Sequence, residues 1–390
     1  MGGFHSAAGT PESTGYSTEL NPYPRRRRPP RVGTSANELL KSGARGSLSG
    51  DERLRQLELM DVCGNRVVVT GGAGFIGSHV VDHLVEAGAD VVIIDDLSVG
   101  TRANVADALT RGAELVVGDI RDQAVTEQVF DGANLVVHMA CDNLRASLAD
   151  PIRTHEVNAA GTLVTCLAAV ACGVDRYAYV SSSEAYGSAR TMPMREDHPL
   201  RPTTVYGASK AAGELYTLAC RRTYGLPALV IRPFNSYGPR EHAAGNSAEV
   251  IPKFATRILA GLPPVIFGDG SQMRDFTWVE ETARGIVAAA ASDALVGEAV
   301  NIGYGHGTTV REVARLLAEA IGGRSLQPVF GERRPGDVDR HCADTTKARE
   351  VVGFEAKVSL AEGLSRYVEW LRATPESRDT HGEPAVVRNW

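Results

Sequence analysis

Between Arg66 and Arg232 the sequence alternates short, wholly apolar runs with longer stretches of helical period, and this alternation admits few folds. Arg66-Val-Val-Val-Thr70, Val91-Val-Ile-Ile-Asp95, Leu115-Val-Val117, Leu135-Val-Val-His-Met139, Tyr177-Ala-Tyr-Val-Ser181 and Ala228-Leu-Val-Ile-Arg232 read as strands. They are apolar throughout instead of at every second position, which suits a parallel sheet covered on both faces. Ile76, Val80, Val81, Leu84 and Val85 mark one face of a helix over 76–87. The pattern predicts an α/β, doubly wound sheet. After residue 235 it loosens into segments punctuated by Gly238-Pro239, Gly261-Leu-Pro-Pro264 and Gly268-Asp-Gly270, then offers one more strand at Ala299-Val-Asn-Ile302 and a helix over Val310–Ile321. The C-terminal third is expected to form a smaller, partly interleaved α/β cap.

At 390 residues and 43% hydrophobic the chain can bury one large or two ordinary cores, and its 23% charged fraction excludes wholesale disorder. The net charge of −6 argues against a protein held to nucleic acid by general electrostatics. Six cysteines without a CxxC pair, and no His cluster at zinc spacing, point to reduced cytosolic thiols and to neither a disulfide framework nor a metal site. Apolar runs such as Gly285-Ile-Val-Ala-Ala-Ala-Ala291 are too short to span a bilayer. The charge is uneven: Arg25 to Arg28, Arg31, Lys41 and Arg45 face only Glu12, Glu19 and Glu38 in the first fifty residues. That Gly-, Ser- and Pro-rich segment reads as a disordered basic tail, its arginine run either solvated or an anion-binding or targeting element. Leu54, Leu57 and Met60 form a short helical face leading into the fold.

Thr70-Gly-Gly-Ala-Gly-Phe-Ile-Gly77 joins the first strand to the first helix, with glycines 71, 74 and 77 spaced GxxGxxG. Such a loop makes a tight turn at Gly71, brings backbone close to a pyrophosphate at Gly74 and packs helix on strand at Gly77. The helix start over Phe75 and Ile76 offers unpaired N–H groups to phosphate. Asp95, followed by Asp96, ends the second strand about twenty residues on. A carboxylate there accepts from an unmodified adenosine ribose and repels a 2′-phosphate, which favours NAD over NADP in a Rossmann-type fold. Asp119 in Gly118-Asp-Ile120 also ends a strand on that edge, where it could meet the adenine.

Tyr206-Gly-Ala-Ser-Lys210 places a phenol and an amine one helical turn apart. The lysine charge is expected to lower the phenol's pKa, so that Tyr206 accepts a proton near neutrality. Upstream, Ser181-Ser-Ser-Glu-Ala-Tyr-Gly187 supplies hydroxyls at a strand end.

With these segments the chain resembles the extended short-chain dehydrogenase/reductases, in the NAD-dependent nucleotide-sugar epimerase/dehydratase family. The matching residues are TGGAGFIG (70–77), Asp95, Gly118-Asp-Ile120, His138-Met139-Ala140, Asn158, SSSEAYG (181–187), YGASK (206–210), Arg232-Pro233-Phe-Asn235, Gly268-Asp-Gly270 with Arg274-Asp-Phe276, and Arg334-Pro-Gly-Asp337. The resemblance covers residues 64 to 372. It implies that Tyr206 is the acid/base, that Lys210 is its partner on the nicotinamide ribose, and that Ser182 is the catalytic hydroxyl. Met139, Ala140, Asn158, Ser181, Ile120 and Pro233 would border the cofactor. Asn143, Asn235, Arg274, Arg334 and Asp337 would border a nucleotide-diphosphate sugar. It implies too a cytoplasmic homodimer, and four parts: a tail over 1–60, an NAD-binding domain over 61–235 with a return segment near 275–303, a substrate cap over 236–274 and 304–373, and a tail over 374–390.

Ser183-Glu184 leaves the reaction open. The 4,6-dehydratases of the family carry Asp-Glu there, the glucuronate decarboxylases Ser-Glu, and plain 4-epimerases need no extra carboxylate. RDF (274–276) and Arg334-Pro-Gly-Asp337 lean toward a 4-epimerase, while Glu184 could be a second acid/base for a dehydratase or decarboxylase. Cys141-Asp-Asn143 departs from the usual loop, and a non-catalytic NAD-binding scaffold is the reading of a different class. An intact Ser182, Tyr206 and Lys210 speaks against it.

Overall fold

The structure, a computed structural model, describes residues 62–241, 249–322, 326–334 and 336–374. The basic tail, the short helical face at Leu54 to Met60 and residues 375–390 lie outside them. The main sheet contains β1 (Arg66–Thr70), β2 (Asp90–Asp95), β3 (Glu114–Val117), β4 (Leu135–His138), β5 (Arg176–Val180), β6 (Ala228–Pro233) and β10 (Ala299–Ile302). Their order is β10-β6-β5-β4-β1-β2-β3, every pairing parallel. Strand order reverses between β1 and β4, where Thr70 stands level with both Ile94 and His138. In an open sheet of this kind the crevice at the reversal receives the ligand.

Successive residues of each strand enter opposite cores, which is why the strands are apolar throughout. Val67, Val69, Val91, Ile93 and Val137 face α1 (Phe75–Glu86) and α8 (Val279–Ala291), packing on Val80, Leu84, Ile286 and Ala290. Val68, Val92, Ile94, Val136 and Tyr177 face the other way, onto α2 (Gln123–Phe130), α5 (Gly161–Cys172) and α6 (Val205–Tyr224). Pro151–Cys172 runs as one helical stretch through α4 (Pro151–His155) and a wide turn over Glu156–Ala160. By length and composition this stretch could cross a membrane, although no single apolar run in it is long. More than half of its most apolar window is buried against the sheet, which accounts for that composition.

Beyond β6 the chain leaves the main sheet. β7 (Asn235–Tyr237), β9 (Met273–Trp278) and β11 (Gly307–Thr309) form a small sheet in the order β11-β9-β7, and β8 (Val265–Phe267) pairs with β12 (Val329–Gly331). They join α7 (Val250–Leu259), α9 (Val310–Ile321) and α10 (Leu360–Ala373) around a separate core that includes Phe254, Trp278, Leu317, Leu364 and Tyr367. Between these pieces α8 and β10 return to the main sheet, so the two cores are interleaved along the chain.

Asp275 locks this arrangement. Fully buried in β9, its carboxylate accepts from the backbone N–H of Tyr304 at 3.0 Å, Gly305 at 3.0 Å and Ala343 at 2.9 Å. Burial raises its pKa to about 6 against the opposing pull of those donors. The native chain therefore holds the proton over a window where the unfolded chain, at an ordinary value of about 4, has released it. The stability that Asp275 contributes thus falls as pH rises from about 4 through 6. Asp275→Asn keeps the shape but loses one acceptor oxygen and strands at least one buried N–H. A loss of about 1–3 kcal/mol per stranded group is expected in urea unfolding near neutral pH. An unchanged midpoint would remove this role.

Candidate active site

A cavity of about 300 Å³ opens at the C-terminal ends of β1, β2, β4, β5 and β6. Its floor is the glycine loop. Gly71 has φ +70°, and a Cβ there would stand 2.7 Å from Ala140 Cα and N. At Gly77 a Cβ would meet the Gly71 carbonyl at 2.2 Å, so α1 can pack on the loop only without a side chain at that position. Gly74 caps α1 with no side-chain bond to the first turn, leaving the helix N–H groups facing the crevice. Asp95 accepts from Ala73 N and Leu97 N, both at 2.9 Å, which turns the carboxylate across the loop; burial raises its pKa. Asp96, Asp119 and Ile120 complete that side, and the Arg121 guanidinium on the Asp119 carboxylate holds it below the usual range. A close-approach glycine turn, open helix N–H groups and strand-end acids are the donor and acceptor set a dinucleotide with unmodified ribose needs.

On the other side of the cavity stand Met139, Ala140, Asn143, Ser181, Ser182, Tyr206, Lys210 and Pro233, with Phe75 and Ile76 along its edge. Thr204 caps α6 by accepting from Gly207 N at 3.0 Å, fixing the turn that carries Tyr206. Lys210, one turn on, is buried; its Nζ donates to the Val180 carbonyl at 2.7 Å and sits 4.7 Å above the Tyr179 ring. Here the structure departs from the expectation for Tyr206. Burial and the neighbouring Cys141 thiol push its pKa up, the Ser182 hydroxyl bonded to it pulls the other way, and burial also lowers Lys210. The lysine does not outweigh desolvation on its own.

Of the expected site residues, Asn158, Ser183, Glu184, Asn235, Arg274, Arg334 and Asp337 do not line this cavity. Asn158 lies behind the cavity wall, where Oδ1 accepts from Asp142 N at 2.7 Å and Nδ2 donates to Asp142 O and Ser209 Oγ, both at 3.0 Å. It clamps the loop after β4 to α6 and does not face the cavity. Asn143 lines the cavity, but its Oδ1 is spent capping α3 (Leu144–Ala149) through Ala146 N at 2.9 Å. Ser183 is buried within the short turn Ser183–Tyr186 and also lies off the cavity wall.

Glu184 is half-buried, close enough to act electrostatically on Tyr206 and to feel Arg274. Burial raises its pKa to about 7, with Arg274 opposing and Asp337 and Glu249 reinforcing. Arg274 donates to Asp337 Oδ1 at 2.6 Å, so Asp337 orients an arginine. The Arg334 guanidinium lies 4.4 Å over Phe267, its Nε buried without a partner, and burial pushes its pKa down to about 10. Asn235 Oδ1 is likewise buried with no partner. Arg153, Glu241 and Glu249 also line the cavity and belong to none of the motifs read from the sequence. No spacing marks them: Arg153 arrives on α4, and Glu241 and Glu249 with the chain beyond β7. Cys141 and Asp142 stood out only as departures from the usual loop.

The geometry defines a dinucleotide-dependent enzyme of the Rossmann class, with Ser182, Tyr206 and Lys210 on one wall of its cavity. Residues 67–303 match the model of the NAD dependent epimerase/dehydratase family. A putative UDP-glucose 4-epimerase of Methanocaldococcus jannaschii is 37% identical over 309 residues, 78% of this chain and 98% of that protein. The solved UDP-glucose 4-epimerase of Thermotoga maritima with UDP-glucose is 38% identical at a TM-score of 0.75, covering 80% of this chain and 99% of that one. A dTDP-glucose 4,6-dehydratase of Streptomyces venezuelae, solved with NAD bound, is 35% identical at a TM-score of 0.75, with 80% and 98% covered. The chain belongs to the NAD-dependent epimerase/dehydratase family, and NAD is its cofactor.

Gly71→Ala forces a methyl group against Ala140 in a left-handed turn. It is expected to abolish NAD retention through gel filtration, read from bound nucleotide per chain, while the fold's circular dichroism stays. Full NAD occupancy in the variant would contradict the close-approach role.

Proposed function

We propose that the protein is a nucleotide-sugar 4-epimerase. The observation that carries this reading is the placing of Ser182, Tyr206 and Lys210 on one cavity wall, with Glu184 electrostatically coupled both to Tyr206 and to Arg274. Residues 61–235, with the return near 275–303, would hold NAD, and residues 236–274 and 304–373 would hold the sugar nucleotide. NAD, when bound, accepts a hydride from a sugar carbinol carbon and can return it. The work of the protein is to move the accompanying proton and to hold the sugar. Tyr206 Oη takes that proton, aided by the Ser182 hydroxyl, and the buried Lys210 charge supports the phenolate once water is displaced. Arg274, oriented by Asp337, and Arg334 grip the diphosphate with planar forks. Asn235 and Asn143 would border the sugar and its phosphates, and Asp95 would hold the adenosine ribose.

A second reading, dehydratase or decarboxylase, is favoured by Glu184, whose pKa of about 7 suits a base that removes a proton beside a keto group. Against it, elimination also needs an acid at the leaving hydroxyl, and the neighbouring Ser183 is a buried hydroxyl with no acid to offer. A homodimer is supported by apolar side chains left outside on three helices that pack together, Leu148 on α3, Ile152 on α4 and Leu215 on α6, the last two at 70% and 65% exposure. A cytoplasmic setting agrees with six cysteines that are all free thiols.

Tyr206→Phe is expected to keep NAD and lose at least about a hundredfold in kcat on UDP- or dTDP-hexoses, the usual scale for a removed acid/base. Retained turnover would reject Tyr206. NMR of products in deuterated water separates the two readings. Inversion at C4 without deuterium at the adjacent carbon is expected, and Glu184→Gln should then leave most of kcat. Deuterium at that carbon, with a wild-type rate that rises through pH 7 and is lost in Glu184→Gln, would instead establish the second. Asp95→Ala should narrow the preference for NAD over NADP in equilibrium binding, and an unaltered ratio would count against the ribose assignment.

A further inference from the structure

Arg145, absent from every motif above, is the second residue of α3, the helix that Asn143 caps at the cavity wall. Its side chain is only 6% exposed, and its Nε is buried without a hydrogen-bond partner. The ion pair it makes is with Glu249, at 3.6 Å and half-exposed, too long for a hydrogen bond. Glu249 itself lines the cavity and acts electrostatically on Tyr206, Glu184 and Arg334. Arg334 feels the positive charge of Arg145 and also keeps a buried Nε unpartnered. Arg274, by contrast, is already neutralised by Asp337 at 2.6 Å. Two neighbouring buried guanidiniums with unfilled donors are a stable arrangement only when an anion lies against them. Glu249 fills that need loosely.

We propose that Arg145 is a third substrate-binding guanidinium, which with Arg334 seats an oxyanion of the sugar nucleotide and exchanges Glu249 for it. The oxyanion is a phosphate of the diphosphate or a carboxylate on the sugar. This rests on the sugar-nucleotide reading above.

The test is calorimetric titration of the NAD-loaded, full-length protein and its Arg145→Met, Arg145→Lys and Glu249→Gln variants. The probes are UDP, UDP-glucose, UDP-glucuronate, dTDP, dTDP-glucose and inorganic pyrophosphate. Arg145→Met should weaken nucleotide binding at least tenfold with NAD occupancy unchanged. Arg145→Lys should restore part of it, since charge survives without the fork. Glu249→Gln should bind tighter, because a competing carboxylate is gone. In turnover the loss should fall on KM before kcat. A loss shared by UDP and UDP-glucose assigns the seat to the diphosphate, and a loss confined to UDP-glucuronate assigns it to a sugar carboxylate. Unchanged affinity of Arg145→Met for every probe overturns the proposal. Should that variant not fold, Glu249→Gln decides, and binding no tighter than wild type overturns it. If the wild type ignores all the nucleotides but binds pyrophosphate in an Arg145-dependent way, the sugar-nucleotide reading fails and the anion seat stands. No pyrophosphate binding either removes both.

Discussion

The cavity wall that carries Ser182, Tyr206 and Lys210 depends on one buried ion pair. Arg232, at the end of β6, donates from Nε and Nη2 to the two oxygens of Glu214 on α6, at 2.9 and 2.6 Å, and both residues are almost wholly out of solvent. Glu214 stands one turn beyond Lys210 and also accepts from Ser181 Oγ at 2.5 Å, at the strand end that leads into Ser182. Arg232 reaches on to the Tyr186 hydroxyl at 2.7 Å, which donates to Asn301 in β10 at 2.7 Å. Strand ends β5, β6 and β10 are thereby pinned to the helix that carries Tyr206. A pair of this kind contributes little net stability against an apolar replacement, but losing one partner leaves a buried charge at a cost of about 3–5 kcal/mol. Its value lies in geometry: every other arrangement of α6 on the sheet would strand a charge.

The same dryness sets the acid–base character of the site. Burial lifts Tyr206 and Glu184 and lowers Lys210, so these three groups are pushed toward their neutral forms. His138, just behind, follows the rule to its end. Pushed down to about 3, it stays neutral between Thr70 Oγ1 at 2.7 Å and Thr162 Oγ1 at 3.0 Å, and belongs to the scaffold. Groups shifted in this way are suited to answering a charge that arrives with ligand, because a new neighbouring charge changes the balance that burial has set. A lysine one helical turn away lowers a phenol's pKa only where its charge outweighs the cost of desolvating the phenolate. In this interior desolvation is the larger effect, and the sequence pattern carries no measure of it.

What the sequence made legible follows from periodicity and local turns. Strand ends at Thr70, Asp95 and Ile302 fall where the apolar runs stop, because a parallel strand buried on both faces changes composition abruptly at its end. The glycine loop and the Tyr–Lys turn are likewise local. Relations between distant segments were not legible. Asn158 looks like any cavity residue by position, yet the wide turn over Glu156–Ala160 aims it at Asp142 and Ser209. Asp337 sits in a motif with Arg334 but pairs with Arg274, sixty-three residues away. Glu214 lies in no motif and carries no local mark of its role. Nothing short of the packed structure reveals that it answers Arg232.

This also changes the meaning of the net charge. The whole chain is acidic, at −6, and an anionic ligand would be repelled by it at long range. Exposed charges more than a Debye length of about 8–10 Å away are largely screened at ordinary ionic strength, whereas partly buried ones are not. Arg274, Arg334 and Arg145 are all at most about a third exposed, and the first is already aimed by its carboxylate. Local, desolvated positive charge therefore outweighs the distant acidic surface at the point where a diphosphate would sit. The acids that matter to the ligand are the near ones, Asp337 and Glu249. They act by orienting guanidiniums or by yielding to a better anion, and overall charge registers neither.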